Sequence, residues 1–236
     1  MLRGRFISLE GGEGAGKSTQ LNLLAERLVD AGIKLVTTRE PGGTKGAETI
    51  RELFVSGATD RWDAATEACL VNAARADHVA RQIRPALERG DWVLCDRYAD
   101  STFAYQGGDK GVPDADLMAL HRVATGDLWP DLTLLLDLPV ETGLARTLKR
   151  IGGATRFEAH DLSFHQRVAA RFHARAAAEP RRIRTINADG SVSGVRAVSH
   201  RETPGLGDYI DPRKDRDKKS PWIAQFSDLK AADVPA

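Results

Sequence analysis

Cysteine is nearly absent from this chain. Cys69 and Cys95 are the only two among 236 residues, and no metal or redox spacing connects them. That excludes a disulfide framework and a thiolate metal site. Cys95 lies in an apolar run and Cys69 in a helical stretch, so both are expected to be buried thiols. A surplus of charge is missing too. The 34 Lys and Arg against 33 Asp and Glu leave a net charge of +1, which gives no global attraction to nucleic acid or to a membrane surface. No apolar run approaches the roughly 20 residues of a membrane span. Met1 to Arg5 leads straight into an apolar strand, without a secretory signal. The histidines are scattered without ligand spacing and read as surface or packing residues. These absences point to a reduced, cytoplasmic chain with neither nucleic acid nor membrane as partner.

What is present suits one α/β domain with an appendage: the length is right, and 42% hydrophobic residues can fill a core. The chain is organised around Arg5 to Leu24. A short apolar run, Phe6-Ile7-Ser8-Leu9, meets a glycine-rich loop, which opens into helical spacing at Leu21, Leu24 and Leu28. The loop Gly11-Gly12-Glu13-Gly14-Ala15-Gly16-Lys17-Ser18-Thr19 contains the G-x-x-x-x-G-K-S phosphate-binding pattern in its required strand–loop–helix context. Glycines let successive N–H groups turn toward a phosphate, and the helix N-terminus adds its dipole. Lys17 can reach the β- and γ-phosphates, and the Ser18 hydroxyl can ligate Mg²⁺. The chain is expected to bind a nucleoside triphosphate through these nine residues.

Strands and helices then alternate. Residues 33–38 read as the second strand, running into Arg39-Glu40-Pro41-Gly42-Gly43-Thr44, which puts Arg39 at the rim where open α/β sheets bind ligands. A solvated surface arginine would read the same way. Helical spacing covers 47–54, 64–80 (with Val71 and Arg75) and 81–89. The apolar strand 92–98 carries Asp96 at its tip, where a carboxylate can serve Mg²⁺ directly or through water. Ser101-Thr102-Phe103-Ala104-Tyr105-Gln106-Gly107-Gly108 gathers hydroxyl, phenol and amide groups suited to a base or sugar edge, or to a capped surface helix. Helices follow over 115–125, 140–150 and 165–179, and strands over 132–137 and 182–188. Between them, Arg150 to Arg156 forms a basic, glycine-containing connection that could close over phosphates or simply be a solvated loop. The alternation predicts a five-stranded parallel sheet with helices on both faces.

With these residues in view, positions 3 to about 190 resemble bacterial thymidylate kinases. The likeness rests on Glu10 to Thr19, Thr38 to Thr44, Ala73-Ala74-Arg75, Asp96-Arg97-Tyr98, Ser101 to Gly107, Pro130 to Thr133 and Arg156-Phe157-Glu158. The loop alone is generic; the combination in this order is specific. The resemblance implies a P-loop kinase fold, a homodimer, and transfer of the γ-phosphoryl of ATP to dTMP with Mg²⁺. It implies that Lys17 and the loop amides hold ATP and that Ser18 and Asp96 serve the metal. It places Arg39, Arg75 and Arg97 on the acceptor phosphate, with Glu13 near the dTMP sugar or the metal. Pro41, Val71, Ser101, Tyr105 and Gln106 would line the nucleoside. Family members carry a basic catalytic residue in the loop or in a lid; here the loop position is Ala15, so the lid near 146–157 is expected to supply it, from Arg150 first and Arg146 second.

Two departures stand out. The family usually has a phenylalanine stacked on thymine where this chain has Val71, which motivates an alternative acceptor nucleotide. After the fifth strand, family members finish with a packed helix, whereas residues 190–236 are rich in proline, glycine and charge. That tail resembles an internal fragment of the flavin-attaching component of the Rnf-type electron-transport complex, notably Glu202 to Asp208 and Trp222-Ile223, without the flavin-attachment motif. It is expected to be foreign or mobile, beside a kinase domain over 1–189. An ATP-binding but catalytically impaired hybrid is therefore the second reading.

Overall fold

The computed structural model describes residues 3–109, 111–148, 156–189 and 196–197. Strand β1 (Phe6–Glu10) is buried along its whole length. Its alternation sorts the two faces of the sheet. Ile7 and Leu9 pack with Leu21, Leu24 and Leu28 of α1 (Lys17–Asp30), while Phe6 packs with Val79, Ile83, Ala86 and Leu87 on the opposite side. Ser8 shares that second face, and its hydroxyl pairs with the Thr133 hydroxyl at 2.9 Å.

The elements then run β2 (Leu35–Arg39), α2 (Lys45–Val55), α3 (Ala64–His78), α4 (Arg84–Glu88), β3 (Trp92–Asp96), α5 (Ala99–Tyr105), α6 (Asp114–Thr125), β4 (Leu132–Asp137), α7 (Val140–Leu148), α8 (Leu162–Ala178) and β5 (Ile183–Asn187). The five strands are parallel in the order β2-β3-β1-β4-β5. Chain order reverses beside β1, so the carboxyl ends of β1 and β3 open a crevice at the switch point. That crevice is where the site sits.

Three findings differ from the sequence reading. First, the helices expected at 64–80 and 81–89 form one run, joined by a π-helical turn over Val79–Ile83. Pro85 enters the first turn of α4. Its ring cannot sit against the carbonyl four residues back, and the wider turn accommodates it. Second, Cys95 is buried but Cys69 is exposed. The buried face of α3 runs through Glu67, Ala68, Val71, Asn72, Ala74, Arg75 and His78, which leaves Cys69 on the other side. Third, a short strand β6 (Arg196–Ala197) lies antiparallel beside β5, with Ala197 opposite Ile186. The edge of β5 offers a ladder for any passing backbone, and two residues carry no period that a sequence reading could detect.

Candidate active site

The loop between β1 and α1 is shaped by close backbone approach. Gly14 has φ +68°, and a Cβ there would lie 2.1 Å from the carbonyl oxygen of Gly143 on α7. Lys17 folds back over the loop, and its Nζ donates to the carbonyls of Gly12 at 2.8 Å and Gly11 at 3.2 Å. Burial and the nearby Arg97 charge lower its pKa to about 8, against the pull of Glu13, Asp96 and Glu10. One helical position further, Ser18 Oγ donates to Asp96 Oδ2 at 2.6 Å, so the first turn of α1 touches the tip of β3.

Arg97 follows β3 with φ +69°, a left-handed backbone that a non-glycine residue rarely holds. Its N–H is fixed to the Leu9 carbonyl at 2.9 Å. The strained turn aims the guanidinium at Glu13 Oε1 (2.9 Å), the Gly11 carbonyl (3.0 Å), Ser101 Oγ (3.1 Å) and Tyr105 Oη (3.1 Å). Tyr105 Oη also donates to Glu13 Oε1 at 2.8 Å. Burial alone would push the Glu13 carboxyl up, but Arg97, Lys17 and Tyr105 outweigh it and hold the pKa at about 2. Glu10 shows the opposite balance. Its carboxylate accepts from the Tyr98 N–H and from Ser101 Oγ, yet burial and the charge of Asp100 raise it to about 7. Two neighbouring carboxylates thus behave oppositely: Glu13 stays firmly ionised while Glu10 titrates near neutrality.

These groups open into a cavity of about 520 Å³, within the range of small-molecule sites. Lys17, Arg39, Arg51, Arg75, Arg97 and Arg146 line it against Glu13, Glu40, Asp96 and Glu158, so its walls favour anions. Its apolar side is Phe54, Val55, Val71 and Phe157. Phosphate loop, arginines and apolar recess thus share one space.

Comparison with known proteins agrees with that geometry. A family model described as thymidylate kinase matches residues 9–198. The chain belongs to the thymidylate kinase family. A thymidylate kinase of Rhizorhabdus wittichii is 55% identical over 197 residues, covering 83% of this chain and 95% of the relative. One from Thermomicrobium roseum is 57% identical over 183 residues, covering 78% of this chain and 86% of that one. The crystal structure of thymidylate kinase from Ehrlichia chaffeensis superposes with a TM-score of 0.64 at 33% identity, over 78% of this chain and 93% of that one. Thymidylate kinases are phosphotransferases that act on a nucleoside monophosphate, and a single cavity with both anion-binding and apolar walls suits that class.

Of the residues that the thymidylate kinase resemblance singled out, Glu13, Gly14, Gly16, Lys17, Ser18, Thr19, Arg39, Pro41, Val71, Arg75, Asp96, Arg97, Ser101, Tyr105, Gln106 and Arg146 all line the cavity. Gly11 and Gly12 line a smaller recess behind the loop, and Ala15 is buried beneath it. Arg150 lies outside the described residues. The three expected phosphate arginines differ in their setting. Arg39 is exposed at the rim and pairs with Glu48 at 3.0 Å. Arg75 is 2% exposed and donates to Glu40 (2.7 Å), Asn72 (3.2 Å) and Thr102 (2.9 Å). Glu40 is held below the usual carboxylate range because Arg75 and His78 outweigh its burial.

Sequence reasoning missed several thymidylate kinase cavity residues. Arg51 on α2 donates to the Pro41 carbonyl at 2.8 Å, and burial with Arg39 close by lowers its pKa. Phe54 and Phe157 meet with ring centroids 4.9 Å apart beside Val71. Arg156, read as part of a basic connection, is instead enclosed. It donates to the Phe54 carbonyl (2.7 Å) and to Glu67 Oε1 (2.5 Å). Arg51 is marked only by its place one helix beyond the Arg-Glu-Pro-Gly-Gly turn, and Phe157 only by the Arg156-Phe157-Glu158 stretch, which gives it no role; nothing local marks Phe54.

Proposed function

We propose that this protein transfers the γ-phosphoryl group of ATP to dTMP, giving ADP and dTDP. One observation carries the reading: the phosphate loop, a cluster of arginines and an apolar recess open into the same cavity. An oxygen of the dTMP phosphate attacks the γ-phosphorus while the bond to the β–γ bridging oxygen breaks. Such a transfer demands alignment and charge neutralisation more than covalent catalysis. The loop amides and Lys17 take the triphosphate. Arg39 and Arg97, joined by Arg51, face the acceptor phosphate, and Arg75 holds the floor beneath the nucleotide through Glu40 and Thr102. Glu13 and Tyr105 lie beside the sugar, with Pro41, Ser101 and Gln106 around the nucleoside. Arg146 supplies lid-side charge because it already lines the cavity; Arg150 shares that proposal on the resemblance alone.

Ser18 and Asp96 are proposed to hold Mg²⁺. Two hard oxygen donors in contact suit that ion, which completes its shell with water and phosphate oxygens rather than an all-protein cage. Bound there, Mg²⁺ would neutralise charge on the β- and γ-phosphates. Thymine is proposed as the base despite Val71, because Phe54 and Phe157 bring aromatic surface to the same wall. A homodimer, a cytoplasmic location and a tail akin to the Rnf-type component belong to the same proposal and rest on resemblance. A sedimentation profile at the monomer mass would remove the dimer.

The test is a coupled assay of ADP release with ATP and Mg²⁺, comparing dTMP with dUMP, dCMP, dGMP and AMP. Turnover is expected on dTMP well above the others. Folded protein that binds ATP yet releases no ADP with any acceptor would replace this reading with the impaired hybrid.

A further inference from the structure

Gln106, just past α5, and Arg156, far along the chain, share one carboxylate. Gln106 Nε2 donates to Glu67 Oε2 at 2.7 Å, and Arg156 Nη2 donates to Glu67 Oε1 at 2.5 Å. Arg156 is itself anchored by the carbonyls of Phe54 (2.7 Å) and Thr59 (3.2 Å), with its guanidinium 4.3 Å from the Phe157 ring centre. All three residues are enclosed: Glu67 is 8% exposed, Gln106 3% and Arg156 3%. Gln106 lines the cavity, whereas Glu67 and Arg156 stand behind it.

The chemistry of these groups fixes a direction. A guanidinium only donates and an ionised carboxylate only accepts. Glu67, anchored by Arg156, can therefore take only the NH₂ end of the Gln106 amide, and the carbonyl end is left for the cavity. Reversing the amide would set two acceptors face to face in a buried place, which is costly. We propose that Glu67 is a positioning residue for base choice, holding Gln106 with its carbonyl oxygen toward the acceptor base. A base that offers an N–H at the centre of its pairing edge, as thymine and uracil do, is then accepted. Cytosine, with a lone pair there, is refused. A site built to hydrogen-bond one partner discriminates strongly because the wrong one leaves buried groups unpaired. The inference rests on the dTMP kinase reading.

The experiment compares kcat/KM for dTMP and dCMP in the full-length protein and in Glu67→Gln, with ATP turnover and thermal melting recorded alongside. In Glu67→Gln, Arg156 still needs an oxygen facing it, so the new amide turns its NH₂ toward Gln106, which must reverse and offer its own NH₂ to the base. The preference for dTMP over dCMP is expected to fall by about tenfold or more, chiefly through KM, while kcat at saturating dTMP stays within about threefold. A loss shared equally by both nucleotides, with the preference unchanged, would mark Glu67 as merely structural and overturn the inference. Should the variant fail to fold, the wild-type protein still decides. dTMP methylated at N3 has no donor to offer and is expected to bind at least about tenfold more weakly. Equal binding would overturn the orientation of Gln106. Wild-type protein that phosphorylates neither nucleotide would remove the kinase reading, and this inference with it.

Discussion

At the scale of single residues, the site is organised by buried charges. Lys17 is the sharpest case. Burial and Arg97 draw its pKa from 10.5 to about 8, so part of the population is neutral in alkaline solution. A triphosphate brings the negative charge that restores the ammonium form. ATP affinity is therefore expected to hold steady below pH 8 and weaken above it, with a proton taken up on binding at pH 9. Calorimetry in two buffers of different ionisation enthalpy reads that proton directly, and identical heats in both would defeat the prediction. The same shift acts on stability with a fixed sign. The folded state binds fewer protons than the unfolded chain between pH 8 and 10.5, so this lysine makes the apo protein relatively more stable as pH rises through that window. Arg51 gives a second residue-scale prediction. A charge-assisted contact to a phosphate is worth about 1.5–3 kcal/mol. Arg51→Ala should thus raise KM for dTMP by about 10- to 100-fold while leaving KM for ATP nearly unchanged. An equal rise in both constants would assign Arg51 to the donor side.

At the scale of elements, the phosphate loop depends on a helix that the motif does not mention. Gly143 lies on α7, and a Cβ at that position would come 2.3 Å from the Glu13 carbonyl, while one at Gly14 would come 2.1 Å from the Gly143 carbonyl. Backbone meets backbone there, so neither side can yield by rotating a side chain. Gly143→Ala should displace α7 from the loop. Displacements of about 1 Å in a catalytic constellation cost up to about 100-fold in rate. The expected outcome is a fall of at least about tenfold in kcat/KM for ATP with only a modest loss of melting temperature. Wild-type kinetics in the variant would show the contact to be incidental. This pair also shows where the sequence stops being legible. Gly11 to Thr19 could be read because one contiguous stretch carries its own mechanism, as could Asp96 at the tip of an apolar strand. Gly143, Phe54 and Glu67 could not, since each matters through a neighbour far away in sequence and nothing in its own periodicity reports that neighbour; Phe157 is legible within Arg156-Phe157-Glu158, but its pairing with Phe54 is not. Arg156 belongs with them: in sequence it ends a basic stretch, and only packing against Phe54 and Glu67 reveals it as an anchor.

At the scale of the molecule, the question is how much chain the catalytic unit needs. The parallel sheet ends at β5, but β6 adds hydrogen bonds at that edge, and Ala197 pairs with Ile186, which sits in the same core cluster as Leu24 and Leu134. The family likeness runs to residue 198, a few positions beyond the point where composition turns irregular. Chain lengths ending after 198 and after 189 therefore make two different predictions. A chain ending after 198 should keep kcat on dTMP within about twofold and lose little thermal stability, because edge pairing and core remain intact. A chain ending after 189 loses the β6 ladder and uncovers the β5 edge, so it should melt lower and aggregate more readily. Melting curves and initial rates for the three lengths test both statements. If the 198-residue chain were inactive while the full chain turned over dTMP, the last 38 residues (236 less 198) would be part of the enzyme rather than an appendage.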